Sequence, residues 1–458
     1  MNMPLIAPFA AAFLAAAAQQ PVPAPSAPPA ADAAPTVDLV AAPEGRSAAV
    51  ALAPITESAL LSSPVPTVSP AWGYRATLVG GAVAVTGGER AVAPGAAGQL
   101  ALFRRVGTEW TCDPNLAQVD RIPSGAFFLS RIVRAGDRIL TAVDRRDVGS
   151  SVRVMEPRDG RLEETASLTL PPEHDLPSFA SAYAGTAETA FVGSADLRFN
   201  LGDASDKRVR DPRVFVYARS GKVWAVQGFV RCPNPSPGTP TDAMWFGASL
   251  AADGDVLVAG QPATIPPRPS EALPYSGRAA VHVFRRTGDQ WVPEARLDGA
   301  AVTPSPCFGV DVAVQGDLLA VRSADLSSAN APGSVWLFER RNGTWAFAQE
   351  LLPAAGIAKG RGYGLGLAVS GGRVLVGDGT ARGADETVAA GPGMVLVFER
   401  KDGAWANTMR LMPKAPCGSR SFGNDVTAEW PLVAVGRPRK EPLGLEPGGA
   451  YLFDLSGK

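Results

Sequence analysis

Short apolar segments alternate with turn residues along most of the 458-residue chain, and the pattern is clearest over residues 246–297. This stretch contains four apolar runs, each bounded by Gly, Asp or Pro, at 248–252, 256–259, 279–284 and 291–297. Runs of this length between turn residues are typical of strands rather than helices. The stretch therefore predicts one four-stranded antiparallel sheet.

The same pattern recurs along the chain, and each copy begins with an aromatic residue that is followed by a small or apolar one. The clear copies begin at Trp72-Gly73, Phe246-Gly247, Phe308-Gly309, Tyr363-Gly364 and Phe422-Gly423. Two weaker copies begin at Phe128-Leu129 and Phe179-Ala180, which brings the number of units to seven. Internal repeats of this length are typical of propellers whose blades carry loop insertions.

Each unit contains two predicted hairpins and, in most units, a tryptophan after the second turn. The turns hold pairs such as Gly254-Asp255 and Asn342-Gly343, which tolerate the positive φ of a tight turn. The tryptophans of the five units that have one are Trp110, Trp224, Trp291, Trp345 and Trp405. Because their position belongs to the strand pattern, we interpret them as packing anchors between neighbouring sheets. Stacking platforms for sugars or bases are the alternative.

A single four-stranded sheet cannot cover its two apolar faces, whereas sheets that stack radially cover both faces and leave only short edges. The predicted fold class is all-β, a seven-bladed β-propeller of four-stranded antiparallel blades with very little helix. Its last unit lacks an outer strand, because the chain ends at Lys458.

A segment upstream of the first unit resembles the missing strand. Leu61 lies eleven residues before Trp72, as Leu352 lies eleven residues before Tyr363. We therefore predict that residues 53–61 pair with residues 450–453 and close the ring.

The amino terminus predicts export. Residues 5–18 are apolar and end in small residues, as in a signal peptide, although no Lys or Arg precedes Arg46. The predicted organisation is a signal peptide over 1–18, a Pro/Ala-rich spacer over 19–50 and the propeller over 51–458. No other apolar segment approaches the roughly 20 residues of a membrane span. We expect a periplasmic, extracellular or cell-surface protein that is monomeric.

The strand motif carries a family resemblance. The sequence F-G-x-x-L-A-x-x-G-D-x-L-V-A-G-x-P, followed by G-x-V-x-x-F-x-R, a Gly turn and Trp, resembles the FG-GAP repeat of integrin α-subunit propellers and of many exported bacterial proteins. The Gly-x-Pro part is present at Gly260-Gln261-Pro262 and at 436–438, and it is lost elsewhere. The resemblance implies a seven-bladed propeller, an extracytoplasmic location, and binding more often than catalysis.

The resemblance also implies calcium loops of the D-x-D-x-D-G kind, but no unit has that spacing. The nearest substitute is a polar loop with Asp196, Asn200, Asp203 and Asp206, and calcium needs six to eight oxygen ligands. Basic residues follow this loop directly, at Lys207, Arg208 and Arg210. We interpret the loop as solvated and predict no cofactor, with calcium at this loop as the weaker alternative.

Charged and catalytic residues limit the function further. With 43 basic and 44 acidic residues, the chain has no excess of positive charge for nucleic acid. The only histidines are His174 and His282, and the second lies within a strand, which favours a structural role. Asp311 and Asp425 share the third position after their aromatic residue, where they either bond locally or act as an acid–base pair. We favour local hydrogen bonds.

All the cysteines lie between the tryptophan strand of one unit and the aromatic residue of the next. They are Cys112, Cys232, Cys307 and Cys417. Disulfides can form in an exported protein. Four cysteines allow three pairings, which the sequence does not distinguish, and we favour a bond between Cys232 and Cys307. A C-x-x-C motif is absent, so no zinc site is predicted.

Two functions follow from these observations. The first is a non-catalytic binding scaffold for an unidentified protein or surface ligand, with the loops at 193–212 and 260–277 as recognition surface. The second is a hydrolase or lyase that uses carboxylates in the central funnel. The scarcity of histidine favours the first.

Overall fold

The computed structural model confirms a seven-bladed β-propeller with almost no helix. The structure describes residues 53–64, 72–87, 97–121, 127–145, 149–174, 179–195, 212–233, 245–263, 278–303, 305, 307–324, 333–352, 362–379, 393–414, 422–437 and 448–458. The predicted signal peptide and spacer, both loops proposed for recognition, the polar loop around Asp203, and Cys417 lie largely or wholly outside these residues. The described residues contain no helix that could span a membrane.

The described chain begins with two three-residue strands, which are followed by the first two blades. The first two strands are β1 (Pro54–Thr56) and β2 (Ala59–Leu61). Blade one contains β3 (Trp72–Val79), β4 (Ala82–Gly87), β5 (Ala97–Val106), β6 (Glu109–Thr111) and β7 (Gln118–Arg121), and blade two contains β8 (Phe127–Ala135), β9 (Arg138–Arg145), β10 (Gly149–Arg158) and β11 (Arg161–Thr169). A 3-10 helix over Pro114–Leu116 divides the outer strand of blade one, so that β6 and β7 both pair with β5.

Blades three to five are regular four-stranded sheets. Blade three contains β12 (Tyr183–Gly185), β13 (Thr189–Gly193), β14 (Arg213–Ser220) and β15 (Val223–Arg231), and blade four contains β16 (Ser249–Asp253), β17 (Val256–Gln261), β18 (Ala280–Thr287) and β19 (Gln290–Asp298). After a 3-10 helix over Gly299–Ala301, blade five contains β20 (Asp311–Gln315), β21 (Leu318–Ala324), β22 (Gly333–Arg341) and β23 (Thr344–Leu351). In each blade the strands follow one another as antiparallel neighbours from the first to the fourth.

The last two blades contain the two initial strands as well. Blade six contains β24 (Tyr363–Ser370), β25 (Arg373–Asp378), β26 (Met394–Lys401) and β27 (Ala404–Met412), and blade seven contains β28 (Asp425–Glu429), β29 (Leu432–Arg437) and β30 (Gly449–Asp454). β2 is the fourth strand of blade seven and runs antiparallel to β30, with Leu61 opposite Ala450. The predicted ring closure by an amino-terminal strand is therefore confirmed.

Two details of the closure differ from the prediction. β1 does not belong to blade seven; it lies parallel to β27 and adds a fifth strand to blade six, with Ile55 opposite Leu411. The equivalent of Leu61 in blade five is Leu351, which is buried, and not Leu352, which is 43% exposed. The predicted alignment was wrong by one residue because the segment before Tyr363 is one residue longer than the segment before Trp72.

The carbonyl of this leucine explains why a polar aromatic residue begins these two units. Trp72 Nε1 donates a buried hydrogen bond to the Leu61 carbonyl at 3.0 Å. Tyr363 Oη donates in the same way to the Leu351 carbonyl at 2.7 Å. The start of one blade is thus fixed to the end of the outer strand of the blade before it.

The tryptophan position makes contacts between neighbouring blades. Trp345 is fully buried, and Trp291 and Trp405 are 9% and 5% exposed, whereas Trp110 and Trp224 are half-buried. The Trp291 ring meets the Phe191 ring of blade three edge-on, with centroids 4.8 Å apart. The apolar cores accordingly lie between successive blades, where facing sheets cover each other.

Candidate functional site

The aromatic-glycine pairs place the start of the inner strands against the blade before. Phe422 is fully buried, and Gly423 has a φ of 90°, which favours glycine. A Cβ on Gly423 would lie 2.6 Å from the Met394 carbonyl oxygen in blade six. A Cβ on Gly377 in the same blade would lie 1.8 Å from the Gly423 oxygen, so both glycines are needed for this close approach. The motif therefore fixes the position of the first residues of each inner strand relative to the blade before it, along the axis of the central channel.

The side chains three residues after the aromatic residue share one level of this channel. Asp311 and Asp425 occupy this position in blades five and seven, as the sequence indicated. Arg75 and Arg131 occupy it in blades one and two. We call these four residues the charged layer. Sequence reasoning missed the two arginines, although the same spacing from Trp72 and Phe128 would have found them.

The first ion pair of the charged layer joins blades seven and one and is firmly held. Arg75 Nη1 lies 3.0 Å from Asp425 Oδ1, and the Ala76 backbone N–H donates to Asp425 Oδ2 at 2.8 Å. Burial acts to lower the pKa of Arg75, but the Asp425 carboxylate, supported by Tyr74 and Asp311, raises it overall. Arg75 is therefore charged at every accessible pH, and both oxygens of Asp425 accept a hydrogen bond.

The second ion pair crosses the channel and is looser. Arg131 Nη2 lies 3.4 Å from Asp311 Oδ1, so blade two contacts blade five on the opposite side of the ring. Asp311 Oδ1 also accepts from the Val312 backbone N–H at 3.0 Å. The side chains of Arg131 and Asp311 are 35% and 25% exposed, and both line a cavity of about 980 Å³ along the channel.

Polar groups at the other end of the channel bond one blade to the next. Asp253 Oδ2 accepts from the Gly316 N–H at 2.7 Å, and Gln315 Oε1 accepts from the Gly371 N–H at 2.7 Å. These side chains belong to the ends of inner strands, and the donors belong to the hairpin turn of the following blade. Their role is therefore structural, which leaves the charged layer as the candidate functional site.

Neither histidine lines this cavity. His282 is buried, its Nε2 lies 2.8 Å from Gln261 Oε1, and burial, with a smaller effect of Arg296, lowers its pKa to about 3. It is a neutral structural residue, as the sequence favoured. His174 lies against Phe215 and Phe229 in blade three, with its Nδ1 2.9 Å from Arg213 Nη1.

The favoured disulfide is not formed. Cys112, Cys232 and Cys307 are thiols, and Cys232 Sγ lies 3.0 Å from Gln261 Oε1 beside His282. The Cys232 side chain thus contacts blade four, which follows it in the chain. Cys307 is buried at the start of blade five, beside Phe308 in the sequence. Within the described ranges, no group of three or more His, Cys, Asp or Glu side chains could hold a metal ion. The polar loop suggested for calcium is outside those ranges.

Comparison with known proteins finds distant structural similarities and no sequence match. No protein-family model matches the chain, and no curated protein sequence matches it. The β-propeller domain of the Trilobed protease from Pyrococcus furiosus is similar with a TM-score of 0.45 and 8% identity, covering 88% of this chain and 95% of that one. A chain of a mitotic checkpoint complex has a TM-score of 0.48 and 9% identity, covering 91% and 97%. A putative 6-phosphogluconolactonase from Bacteroides uniformis has a TM-score of 0.43 and 12% identity, covering 75% and 86%. Similarities at this level carry no argument, and the fold class rests on the strand order of the chain itself.

Proposed function

We propose that this propeller is an exported binding protein that recognises its ligand at the end of the channel formed by the charged layer, without changing the ligand chemically. The observation that carries the proposal is the pairing of both aspartates of the charged layer with arginines. A general acid or base needs a free site for the proton it transfers, within hydrogen-bond reach of the substrate. Both Asp425 oxygens accept a hydrogen bond, one from Arg75 and one from the Ala76 N–H. In the part of the chain that the structure describes, Asp311 keeps Oδ2 without a hydrogen bond but lies beside the Arg131 guanidinium, which favours the charged carboxylate over a proton-transferring acid.

The hydrolase or lyase alternative lacks the partners that such chemistry uses. An acid–base pair works when two titratable groups are pushed to different pKa values in one site. In the charged layer each aspartate faces an arginine, and among the described residues no histidine lines the cavity. A preformed concave site with a few convergent charged groups is, by contrast, typical of ligand recognition.

The FG-GAP resemblance and the amino terminus support the location that we propose. The repeat motif resembles that of exported propellers, which bind more often than they catalyse. The apolar stretch over 5–18 followed by small residues supports export. We infer a periplasmic or cell-surface monomer whose partner is another component of the cell envelope.

A binding experiment with a chemical readout tests the function. The purified chain is incubated with fractionated envelope extract, the retained component is identified by mass spectrometry, and its affinity is measured by calorimetry after purification. The component should be recovered intact, and an Arg75→Gln/Arg131→Gln variant should bind it weakly. Arg161→Gln, an exposed substitution on the outer strand of blade two, serves as the matched control.

Catalysis would be revealed in the same material. If the retained component were cleaved or rearranged on prolonged incubation, and Asp311→Asn or Asp425→Asn stopped this change without unfolding the protein, the binding proposal would be wrong. A reporter that is active only after export, fused to residues 1–50, tests the location separately.

A further inference from the structure

The two ion pairs of the charged layer differ in what they leave available to a ligand. Asp425 uses both oxygens, whereas Asp311 accepts both of its hydrogen bonds at Oδ1. Among the described residues, Asp311 Oδ2 accepts no hydrogen bond, and the Arg131 guanidinium has Asp311 as its one side-chain partner, at 3.4 Å. Arg131 carries five N–H donors in a fixed fork. Donors and an acceptor therefore face the cavity side by side.

The charge balance of the layer restricts the ligand. Two arginines and two aspartates make the layer neutral. A simple anion that bound Arg131 would leave the Asp311 carboxylate with the more distant Arg75, which is already paired with Asp425, and a simple cation would leave Arg131 without an anion. Either arrangement places an unpaired charge in a partly desolvated site, which is costly. A neutral ligand offers no charge to replace the ion pair that it would separate.

We propose that the Arg131–Asp311 pair binds an α-amino acid group, with the ligand carboxylate on Arg131 and the ligand ammonium on Asp311 Oδ2. This inference rests on the proposed binding function and names its ligand class. A ligand with both charges on one carbon keeps all four groups of the layer paired. The carboxylate accepts two parallel N–H bonds from the arginine fork, which is the strong bidentate arrangement.

The wall of the channel beyond the layer suits the rest of such a ligand. The inner strands present small apolar side chains there, including Ala251, Ala313 and Ala368. The cavity of about 980 Å³ is large enough for an amino-acid side chain or for a short chain attached to it. The firmly held Arg75–Asp425 pair lies at the same level and keeps the layer in place.

Binding of blocked amino acids to the unmodified protein tests this proposal. The full chain is titrated with L-alanine, L-leucine, L-glutamate and L-lysine, and with the N-acetyl and carboxamide derivative of each. At least one free amino acid should bind and raise the melting temperature. Each blocked form should bind about tenfold or more weakly, because hydrogen bonds to charged groups each contribute about that factor or more.

Variants assign each charge to its residue. Arg131→Gln should remove the preference for the free acid over the carboxamide, and Asp311→Asn should remove the preference for the free amine over the N-acetyl form. Arg161→Gln, in the same blade as Arg131, should change neither preference. If a variant does not fold, the blocked ligands on the unmodified protein still decide the matter.

Three outcomes would overturn the inference: no amino acid binds, blocked and free forms bind equally, or both variants keep the preferences of the unmodified protein. If no amino acid binds while the envelope component still does, the ligand class is wrong and the binding function stands. If neither binds, the proposed function is wrong as well.

Discussion

The closing strand β2 buries one leucine and exposes the next, and this difference tests ring closure within a single strand. Leu61 is 1% exposed and packs with Trp72, Ala450 and Leu452, whereas Leu60 is 50% exposed. Leu61→Ala removes buried methyl groups and leaves a cavity, which should cost about 2–5 kcal/mol. Leu60→Ala is the matched control and should change the free energy of unfolding by about 0.5 kcal/mol or less.

Deletion of the whole strand should have a larger effect than either substitution. The Leu61 carbonyl accepts from Trp72 Nε1, and Ser58 donates to the Leu452 carbonyl from its backbone N–H at 2.7 Å and from its hydroxyl at 3.0 Å. Without residues 19–62, the buried indole N–H loses its acceptor, at a cost of about 1–3 kcal/mol. The outer edge of β30 also becomes open to other chains. Deletion of residues 19–45 removes none of these contacts.

Urea unfolding followed by tryptophan fluorescence gives the free energies, and gel filtration gives the association state. The 19–45 deletion should behave as the full chain does, and the 19–62 deletion should be unstable or should aggregate. Equal free energies for Leu61→Ala and Leu60→Ala would refute the reasoning. So would two truncations that are both soluble monomers with the same melting temperature.

Three further predictions concern the blades. Glu339 is buried and accepts a hydrogen bond from Trp405 Nε1 at 2.6 Å. Burial raises the pKa of Glu339, but Trp405, Arg341 and Arg400 lower that pKa overall. The ionised Glu339 therefore stabilises the fold fully above its ordinary pKa of 4.5, and this contribution is lost as pH falls through the lower pKa of the folded state. The melting temperatures of the wild type and Glu339→Gln should therefore converge in acid; a constant difference down to the lowest pH would contradict this. Trp345→Ala should cost about 3–5 kcal/mol in urea unfolding, and Trp224→Ala less because Trp224 is only half-buried; equal costs would argue against packing as the role of this position. A chelator should hardly change the melting temperature, since no unit has the D-x-D-x-D-G spacing, and a fall of about ten degrees would show bound metal.

The repeat could be predicted because its signals are local demands of the backbone and the core. Gly423 needs a positive φ and a close approach to blade six, and no other residue meets both needs easily. The turns at Asp159-Gly160 and Asp402-Gly403 have both residues at positive φ, which the sequence indicated by residue type. Such requirements act on a few adjacent residues, so they remain visible in the sequence.

The pairing within the charged layer and the pairing of β1 could not be predicted in the same way, because the partners are distant in sequence. Arg131 and Asp311 are 180 residues apart, and nothing near either residue specifies the other. β1 has three residues, too few for a periodic pattern, and its parallel pairing with β27 depends on where β2 has already fixed the chain. The disulfide prediction failed for a related reason, since a shared place in the repeat does not bring two cysteines together across a whole blade.

In the third strand of several blades, an arginine follows two residues after a phenylalanine, as in Phe398 and Arg400. In blades one, five and six this arginine forms an ion pair with the blade before it, and the strength of that pair differs from one joint of the ring to another. Arg400 pairs with Glu339 of the blade before it, whose side chain is only 7% exposed. At the joint between the last and first blades, the corresponding pair is Arg105 with Asp454, at 3.4 Å and with 52% and 31% of the side chains exposed. Exposed pairs of this kind contribute about 0–1 kcal/mol. The joint between blades seven and one therefore has the weaker ion pair. There β2 pairs with β30 of blade seven, and the Leu61 carbonyl accepts from Trp72 of blade one, so that β2 links the two blades.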